Sequence, residues 1–189
     1  MVHGYMMRRL GFVRALVRNR SGSTAVEFAM IAPMFFALIF SIFEAGWFYF
    51  VSTSVQQANA NAARLIRTGQ AQSASLTKEA FFKEICDVVD SFGSCDEKLT
   101  IDIANYDNFA DLSADLSDPV CRDKDDPAIE GAQFGAGDYG DSEDIVRVRV
   151  CFLYKPITPA LGLNLAKTKH GDRKLVSVSI FRNEPFASM

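Results

Sequence analysis

An apolar run between Phe28 and Val51 constrains this chain more than any other feature. The run is 24 residues long, and Glu44 is its only charged residue. A helix rises about 1.5 Å per residue, so roughly 20 residues cross the hydrocarbon core of a bilayer. We therefore expect one membrane-spanning segment over about 28–51, within a longer helix that runs from near Thr24 to Thr68.

The charges on the two sides of this run differ in sign. Residues 1–22 carry a charge of +5 from five arginines and no acid, and the whole chain carries −3, so the remainder carries −8. Basic residues ahead of an apolar span stay in the cytoplasm, which predicts that the C-terminal part faces the periplasm. Trp47 and Tyr49, near the other end of the run, suit the outer membrane interface. The acidic main body argues against nucleic acid as a partner, because phosphate binding needs an excess of Lys and Arg.

A removable secretory signal peptide is the alternative interpretation of the same run. Small residues at 58–62 offer possible cleavage sites for a signal peptidase. However, the run is about twice the usual length of a signal-peptide core, and it ends several residues before those sites. We expect the segment to be retained.

Beyond the apolar run, periodicity predicts an α+β domain. Residues 70–76 form a polar connection, and residues 99–103, 144–154 and 174–182 alternate as strands do. Residues 78–92 have helical spacing with Thr77 as the N-cap, and their expected buried side consists of Phe81, Phe82, Ile85, Val88, Val89 and Phe92. Residues 104–144 are rich in Asp and Gly, and we expect them to be largely irregular. The predicted fold is a long N-terminal helix, a second helix and an antiparallel sheet of three or four strands.

The four cysteines all follow the apolar run, at Cys86, Cys95, Cys121 and Cys151. An even number in an oxidising compartment favours two disulfides. Pairing the first two and the last two is one arrangement, and the other two connectivities stay open. A zinc site is the alternative, but the chain has no C-x-x-C spacing and only two histidines.

Sequence motifs for catalysis are absent, since the chain has no P-loop, no H-E-x-x-H and no G-x-S-x-G. The acidic stretches 123–126 and 138–144 could bind Ca²⁺, but neither follows the EF-hand loop pattern. A solvated acidic loop, or a surface specific for a partner, is the expected alternative. We therefore predict no enzyme activity, no catalytic residue, no metal site and no cofactor.

A motif of defined spacing stands where the apolar run begins. Residues 20–28 read RSGSTAVEF, in which a glycine, four residues, a glutamate and an aromatic follow the basic leader. This motif resembles the TadE-like family of pseudopilins from Flp/Tad pilus systems, a branch of the type IV pilins. Four further segments share the resemblance: AP at 32–33, EAG at 44–46, ARLIRTGQ at 63–70 and the closing FRNEPF at 181–186. The resemblance is loose over residues 71–144.

The resemblance implies a pilin-like minor pilin or pseudopilin of the bacterial inner membrane that takes part in assembly or initiation of a Tad-type pilus. A prepilin peptidase would cut after Gly22 and leave Ser23 as the new N-terminus. The chain would then divide into a leader (1–22), an N-terminal helix (23–69) and a periplasmic α+β domain (70–189). The implied partners are this peptidase, other pilins or pseudopilins of the system, the inner-membrane assembly platform and membrane lipid.

Three residues of the helix are candidates for a role in assembly. The resemblance implies that Glu27, followed by Phe28, pairs with the free amine of a processed N-terminus and sets the register between helices. Glu44 lies within the apolar run, where an ionisable group is costly and usually faces water or a partner. The sequence leaves two placements open for it, at the outer membrane interface or against a partner helix.

Two other functions stay open at this point. One is an unprocessed single-pass anchor or scaffold of the secretion machine, which would keep residues 1–22. The other is a periplasmic module that binds Ca²⁺ or another ligand on its acidic loop.

Overall fold

The structure, a computed structural model, describes residues 22–122, 131–158 and 168–186. The predicted leader up to residue 21 and the acidic stretch 123–126 lie outside these ranges. The helices are α1 (Ser23–Arg67), α2 (Gln70–Ser73), α3 (Lys78–Val89), α4 (Cys95–Lys98) and α5 (Phe109–Ala114), with 3₁₀ turns at Asp90–Phe92 and Ala136–Tyr139. The strands are β1 (Leu99–Tyr106), β2 (Ala132–Gln133), β3 (Ile145–Tyr154) and β4 (Arg173–Arg182).

Helix α1 begins and ends within a residue of the predicted positions. Its last turn closes through Gly69, whose N–H donates to the Ile66 carbonyl and whose φ is 72°, in the left-handed region that favours glycine. The ring of Phe186 lies over Gly69, so close that a Cβ built there would fall 2.6 Å from the ring. The end of α1 and the C-terminal segment are therefore packed together through this glycine.

The C-terminal half of α1 forms part of the hydrophobic core. Its apolar residues recur at steps of three or four, which places them on one helical face, and they are all buried: Val51, Val55, Ala58, Ala62 and Ile66. The two alanines let the helix approach the sheet closely. The predicted membrane span ends at Val51, but this residue is packed against protein, so α1 joins the globular fold earlier than its hydropathy alone indicates.

The sheet has the strand order β2-β1-β3-β4. Its three long strands are antiparallel, as predicted, with Ile101 opposite Val150 and Val150 opposite Ser177. The two-residue strand β2 runs parallel to β1, so the sheet is mixed. All ten residues of β3 are buried, because α1 covers one face of the sheet and residues 107–122 cover the other.

Helix α3 follows the sequence prediction at its start and ends earlier. The Thr77 hydroxyl accepts from the backbone N–H of Ala80, and Phe81, Ile85 and Val89 form the buried face. The predicted extension to Phe92 is a 3₁₀ turn, and Val88, predicted to be buried, is 39% exposed. Helical spacing therefore identifies the buried face of α3 correctly, but it also assigns the exposed Val88 to that face.

Residues 70–76 and 104–144 contain more regular structure than predicted. The polar link after Gly69 is the short helix α2, and β1 extends to Tyr106, beyond the predicted end at residue 103. Helix α5 then forms with Asn108 as its N-cap, accepting from the N–H groups of Ala110 and Asp111. The sequence pattern misses these elements because each is too short to produce a period.

Candidate functional site

The N-terminal half of α1 has an apolar surface that the described part of the chain leaves uncovered. Among the described residues, α1 is the one helix long and apolar enough to cross a membrane, and an 18-residue stretch of it has a mean hydropathy of 2.2 with no residue buried. Eleven large apolar side chains of this half are exposed, namely Val26, Phe28, Met30, Ile31, Met34, Phe35, Phe36, Leu38, Phe40, Ile42 and Phe43. An apolar surface of this extent is typical of a membrane or a protein interface.

Glu44 marks the end of this free half, and it is buried within the chain itself. Its side chain is 2% exposed, and the Tyr154 hydroxyl donates to its Oε1 at 2.6 Å. The backbone N–H groups of Ile157 and Thr158 donate to its Oε2 at 3.0 and 2.9 Å, and the Thr158 hydroxyl donates at 3.0 Å. Four donor groups from the end of β3 and the residues after it therefore surround one carboxylate.

The hydrogen-bond partners of Glu44 belong to its own chain, more than 100 residues away, and the sequence did not predict them. Burial of a carboxylate costs several kcal/mol unless its oxygens receive hydrogen bonds, and here they receive several. Burial, together with the bond to Glu44, raises the pKa of Tyr154 above its ordinary value, which keeps the phenol protonated as a donor.

Aromatic rings surround α1 just beyond Glu44. The ring centroid of Trp47 lies 5.9 Å from that of Phe92 and 5.6 Å from that of Phe50. On another side of the helix, Phe48 packs edge-on against Tyr154 at 5.6 Å. These contacts fix the direction in which α1 leaves the globular fold. Tyr49, predicted with Trp47 at the outer interface, is exposed.

The predicted processing and register residues lie at the opposite end of the free half. Gly22 precedes α1 directly, and a Cβ added to it would meet nothing within 4 Å. Ser23 is the first residue of α1, and its hydroxyl donates to Glu27 Oε1 at 3.0 Å. Glu27 and Phe28 are both exposed. At 1.5 Å per residue, Glu27 lies about 26 Å from Glu44 along the axis, so the two carboxylates form separate sites.

The four cysteines form two disulfides, Cys86–Cys95 and Cys121–Cys151. The first joins α3 to α4, and the second ties residues 107–122 to β3. Within the described residues, the one cluster with metal-ligating geometry is Cys86, Asp90 and Cys95. Its two sulfur atoms are bonded to each other, so the cluster does not offer free thiolates to a metal.

A network of charged side chains on the outer face of the sheet was not predicted. Arg147 and Arg149 are 6% and 7% exposed, beneath the segment of residues 107–122, which we call the strap. Arg149 pairs with Asp102 and donates to the Ser117 carbonyl at 2.7 Å. Arg147 contacts Asp115 of the strap at 2.8 Å. The alternating VRVRV of β3 was the visible signal, but only the position of the strap reveals that these arginines are buried.

Asp115 is the acid of this network with the strongest perturbation. Hydrogen bonds from Ser117 and from the Tyr106 hydroxyl, with a further contact to Arg147, hold the pKa of Asp115 well below its usual range. Burial and the bond to Asp115 raise the pKa of Tyr106 to about 12. The ionised carboxylate therefore binds the strap to the sheet.

We expect replacement of Glu44 by glutamine to destabilise the fold by about 2–3 kcal/mol, because the amide directs its own N–H₂ at groups that are themselves donors. The control Tyr154→Phe removes one donor and leaves the others, and should cost about 1 kcal/mol. Trp47 is the only tryptophan, so its fluorescence during denaturation of the full chain in detergent reports on this region. A Glu44→Gln protein as stable as the parent would contradict this account of the carboxylate.

We also expect an acid-dependent loss of stability that originates at Asp115. A carboxyl with a lowered folded-state pKa stabilises the fold above its ordinary pKa of about 4, and the contribution is lost as pH falls through the lowered value. Denaturation midpoints at pH 6 and pH 3 should therefore differ less for Asp115→Asn than for the parent. The exposed Asp118→Asn, in the same strap, should keep the parental difference. Equal pH responses of the parent and Asp115→Asn would be evidence against the network.

Comparison with known proteins identifies one part of the chain. Residues 22–64, less than a quarter of the sequence, match the family model for TadE-like proteins. Searches of curated proteins and of solved structures each found no match. The matched segment contains Gly22, Ser23, Glu27, Phe28 and Glu44. The resemblance to the TadE-like family that the sequence motif indicated is therefore confirmed over residues 22–64.

Proposed function

We propose that this chain is a membrane-anchored minor pilin or pseudopilin that takes part in the assembly or initiation of a Tad-type pilus. The observation that carries the proposal is the division of α1 at Glu44, within a TadE-like segment. The free part, Ser23 to Phe43, has 21 residues and a length of about 31 Å at 1.5 Å per residue. A bilayer hydrocarbon core is about 30 Å thick, so this part alone suffices as the anchor.

The proposed topology places the leader in the cytoplasm and the globular domain in the periplasm. Five arginines and no acid precede the free part of α1, in agreement with the positive-inside rule. Both disulfides belong to the globular part, which fits an oxidising compartment. We place the aromatic residues around Trp47 at the outer membrane surface, where such rings are enriched.

The proposed mechanism is structural and has no chemical step. A prepilin peptidase removes the leader after Gly22, and the freed helix packs with helices of other pilins or pseudopilins at the inner-membrane assembly platform. The TadE-like pilin family is non-enzymatic, which supports a protein without catalytic activity. The bilayer supplies the remaining contacts of the apolar surface.

Glu27 is the residue we assign to the register between helices. Cleavage after Gly22 would give Ser23 a free α-amine, and the Ser23 side chain already lies within hydrogen-bonding distance of Glu27. The charged amine, of the same chain or of a neighbour, would therefore find a carboxylate one helical turn away. A neighbouring helix out of register would leave Glu27 without that partner among apolar side chains, which is unfavourable.

Processing is tested by the N-terminal mass of the protein purified from membranes of cells with and without the prepilin peptidase. We expect a form that begins at Ser23 only where the peptidase is present. The variant Gly22→Leu should keep the leader in both strains, because a bulky side chain hinders the extended backbone that a cleavage cleft requires. An intact leader on the parent protein in both strains would instead identify an unprocessed anchor.

The role of Glu27 is tested by Glu27→Ala in cells that carry the peptidase. We expect normal membrane insertion but a loss of co-purification with sister pilins and reduced piliation. Glu84→Ala, at an exposed carboxylate on helix α3 of the globular domain, is the matched control and should leave both unchanged. Unchanged association and piliation in Glu27→Ala would show that this carboxylate does not set the register.

A further inference from the structure

Strand β4 lies at an edge of the sheet, with only β3 beside it among the described residues. The N–H of Asn183 donates to the Asp144 carbonyl at 2.8 Å, and this pair continues the register of β3 and β4. Hydrogen-bonded pairs alternate along an antiparallel ladder, so Phe181, Ser179 and Ser177 direct their backbone groups toward β3. The backbone groups of Ile180, Val178 and Val176 consequently point outward, away from the sheet.

The same three residues have exposed apolar side chains. Val176, Val178 and Ile180 are 41%, 49% and 50% exposed, and they stand in one row because alternate residues of a strand share a face. A run of exposed β-branched residues on an open edge is a template for pairing with another strand. The row is flanked by Lys174 on one side and Arg182 on the other, both exposed. Arg182 also donates to the Glu143 carbonyl at 2.7 Å and lies 3.5 Å from the Glu143 carboxylate, in an ion pair that is exposed on both sides and therefore weak.

A groove runs beside this edge, between β4 and the last turns of α1. Its volume is ≈ 760 Å³, and its walls include Ala60, Ala63 and Arg64 on α1 and Val178 and Ile180 on β4. The alanines keep the groove wide, and Arg64 is exposed at its rim. The space suits an extended backbone rather than a helix, because one wall is the edge of a strand.

The charged residues at this edge determine which kind of strand can pair with β4. If β4 paired antiparallel with β4 of a second copy, so that the three apolar residues faced one another, Lys174 would stand opposite Arg182. Like charges directly opposite are destabilising in a sheet. Acidic side chains at the two ends of an incoming strand would instead be attracted by Lys174 and Arg182, which lie on the same face of the strand as the apolar row.

We propose that β4 accepts an extended segment of a different protein chain as an additional antiparallel strand, with β-branched residues opposite Val176, Val178 and Ile180 and an acidic residue at each end. Main-chain hydrogen bonds supply the attraction, and the apolar row with its basic ends supplies the selectivity. The inference goes beyond the proposed pilus function and does not depend on cleavage after Gly22 or on the role of Glu27.

The test uses the full chain in detergent micelles and a labelled nine-residue peptide, Asp-Thr-Val-Thr-Val-Thr-Val-Thr-Asp, followed by fluorescence anisotropy. The peptide matches residues 174–182 in length, with valines opposite the apolar row and aspartates opposite Lys174 and Arg182. We expect saturable binding that slows hydrogen exchange at the amides of Val178 and Ile180. A peptide with lysine in place of both aspartates should bind at least tenfold more weakly.

Two variants separate strand addition from adhesion at another surface. Val178→Pro removes one outward N–H at a position where an edge strand tolerates proline, and should weaken peptide binding at least tenfold, while Val178→Thr should not. Lys174→Glu changes an exposed side chain at one end of the apolar row, and it should weaken binding by reversing the charge opposite one aspartate of the peptide. Circular dichroism verifies that each variant is folded.

Three results would overturn the proposal. One is the absence of saturable binding by the aspartate peptide, and another is binding that the lysine ends, Val178→Pro and Lys174→Glu all leave unchanged. The third is a dimer of the chain alone that Val178→Pro dissociates, since a second copy would then be the occupant. None of these results bears on processing after Gly22, so the proposed pilus function would be judged separately.

Discussion

The burial of the Glu44 carboxylate is the constraint on which the arrangement of this chain depends. An ionised group in an apolar helix is costly unless donors surround it. The hydroxyl of Tyr154 and the main chain at Ile157 and Thr158 provide those donors. They belong to the end of the central strand, so satisfying one carboxylate also fixes where the sheet meets the helix. The free and the packed halves of α1 consequently meet at this residue.

The two halves of α1 solve different packing problems with one continuous helix. Before Glu44 the helix has large apolar side chains exposed all round, which suits a uniform apolar solvent. After Glu44 the buried residues lie on one face of the helix, and small residues on that face, such as Ala58 and Ala62, let the sheet approach closely. Asn59 on this face donates to the Ser177 hydroxyl at 2.9 Å, a polar contact that fixes β4 against the helix. A change of environment along the axis therefore needs no break in the helix.

The sequence predicts those parts of this fold that depend on local patterns. The limits of α1, the Thr77 cap, the three long strands and the apolar span follow from periodicity, capping and length, each of which acts over a few residues. The partners of Glu44 could not be predicted, because a carboxylate and donors more than 100 positions apart leave no joint pattern. The burial of Arg147 and Arg149 was missed for a related reason, since it depends on the strap that covers them, whose position no local pattern predicts. Charge alternation in β3 indicated which side chains share a face, but not whether solvent reaches that face.

Two surfaces have no partner among the described residues, and they require partners of different kinds. The free half of α1 offers apolar side chains with its backbone fully hydrogen-bonded inside the helix, so lipid or other helices can cover it without directional contacts. The β4 edge offers the reverse, a row of outward backbone groups for which only water or another strand is a good partner. Basic residues at both ends of that edge oppose the pairing of identical copies in the register that would bury it best. In the proposed arrangement, a bilayer holds the chain through one surface while the other selects a neighbour by shape and charge, so anchoring and partner choice need not compete for the same residues.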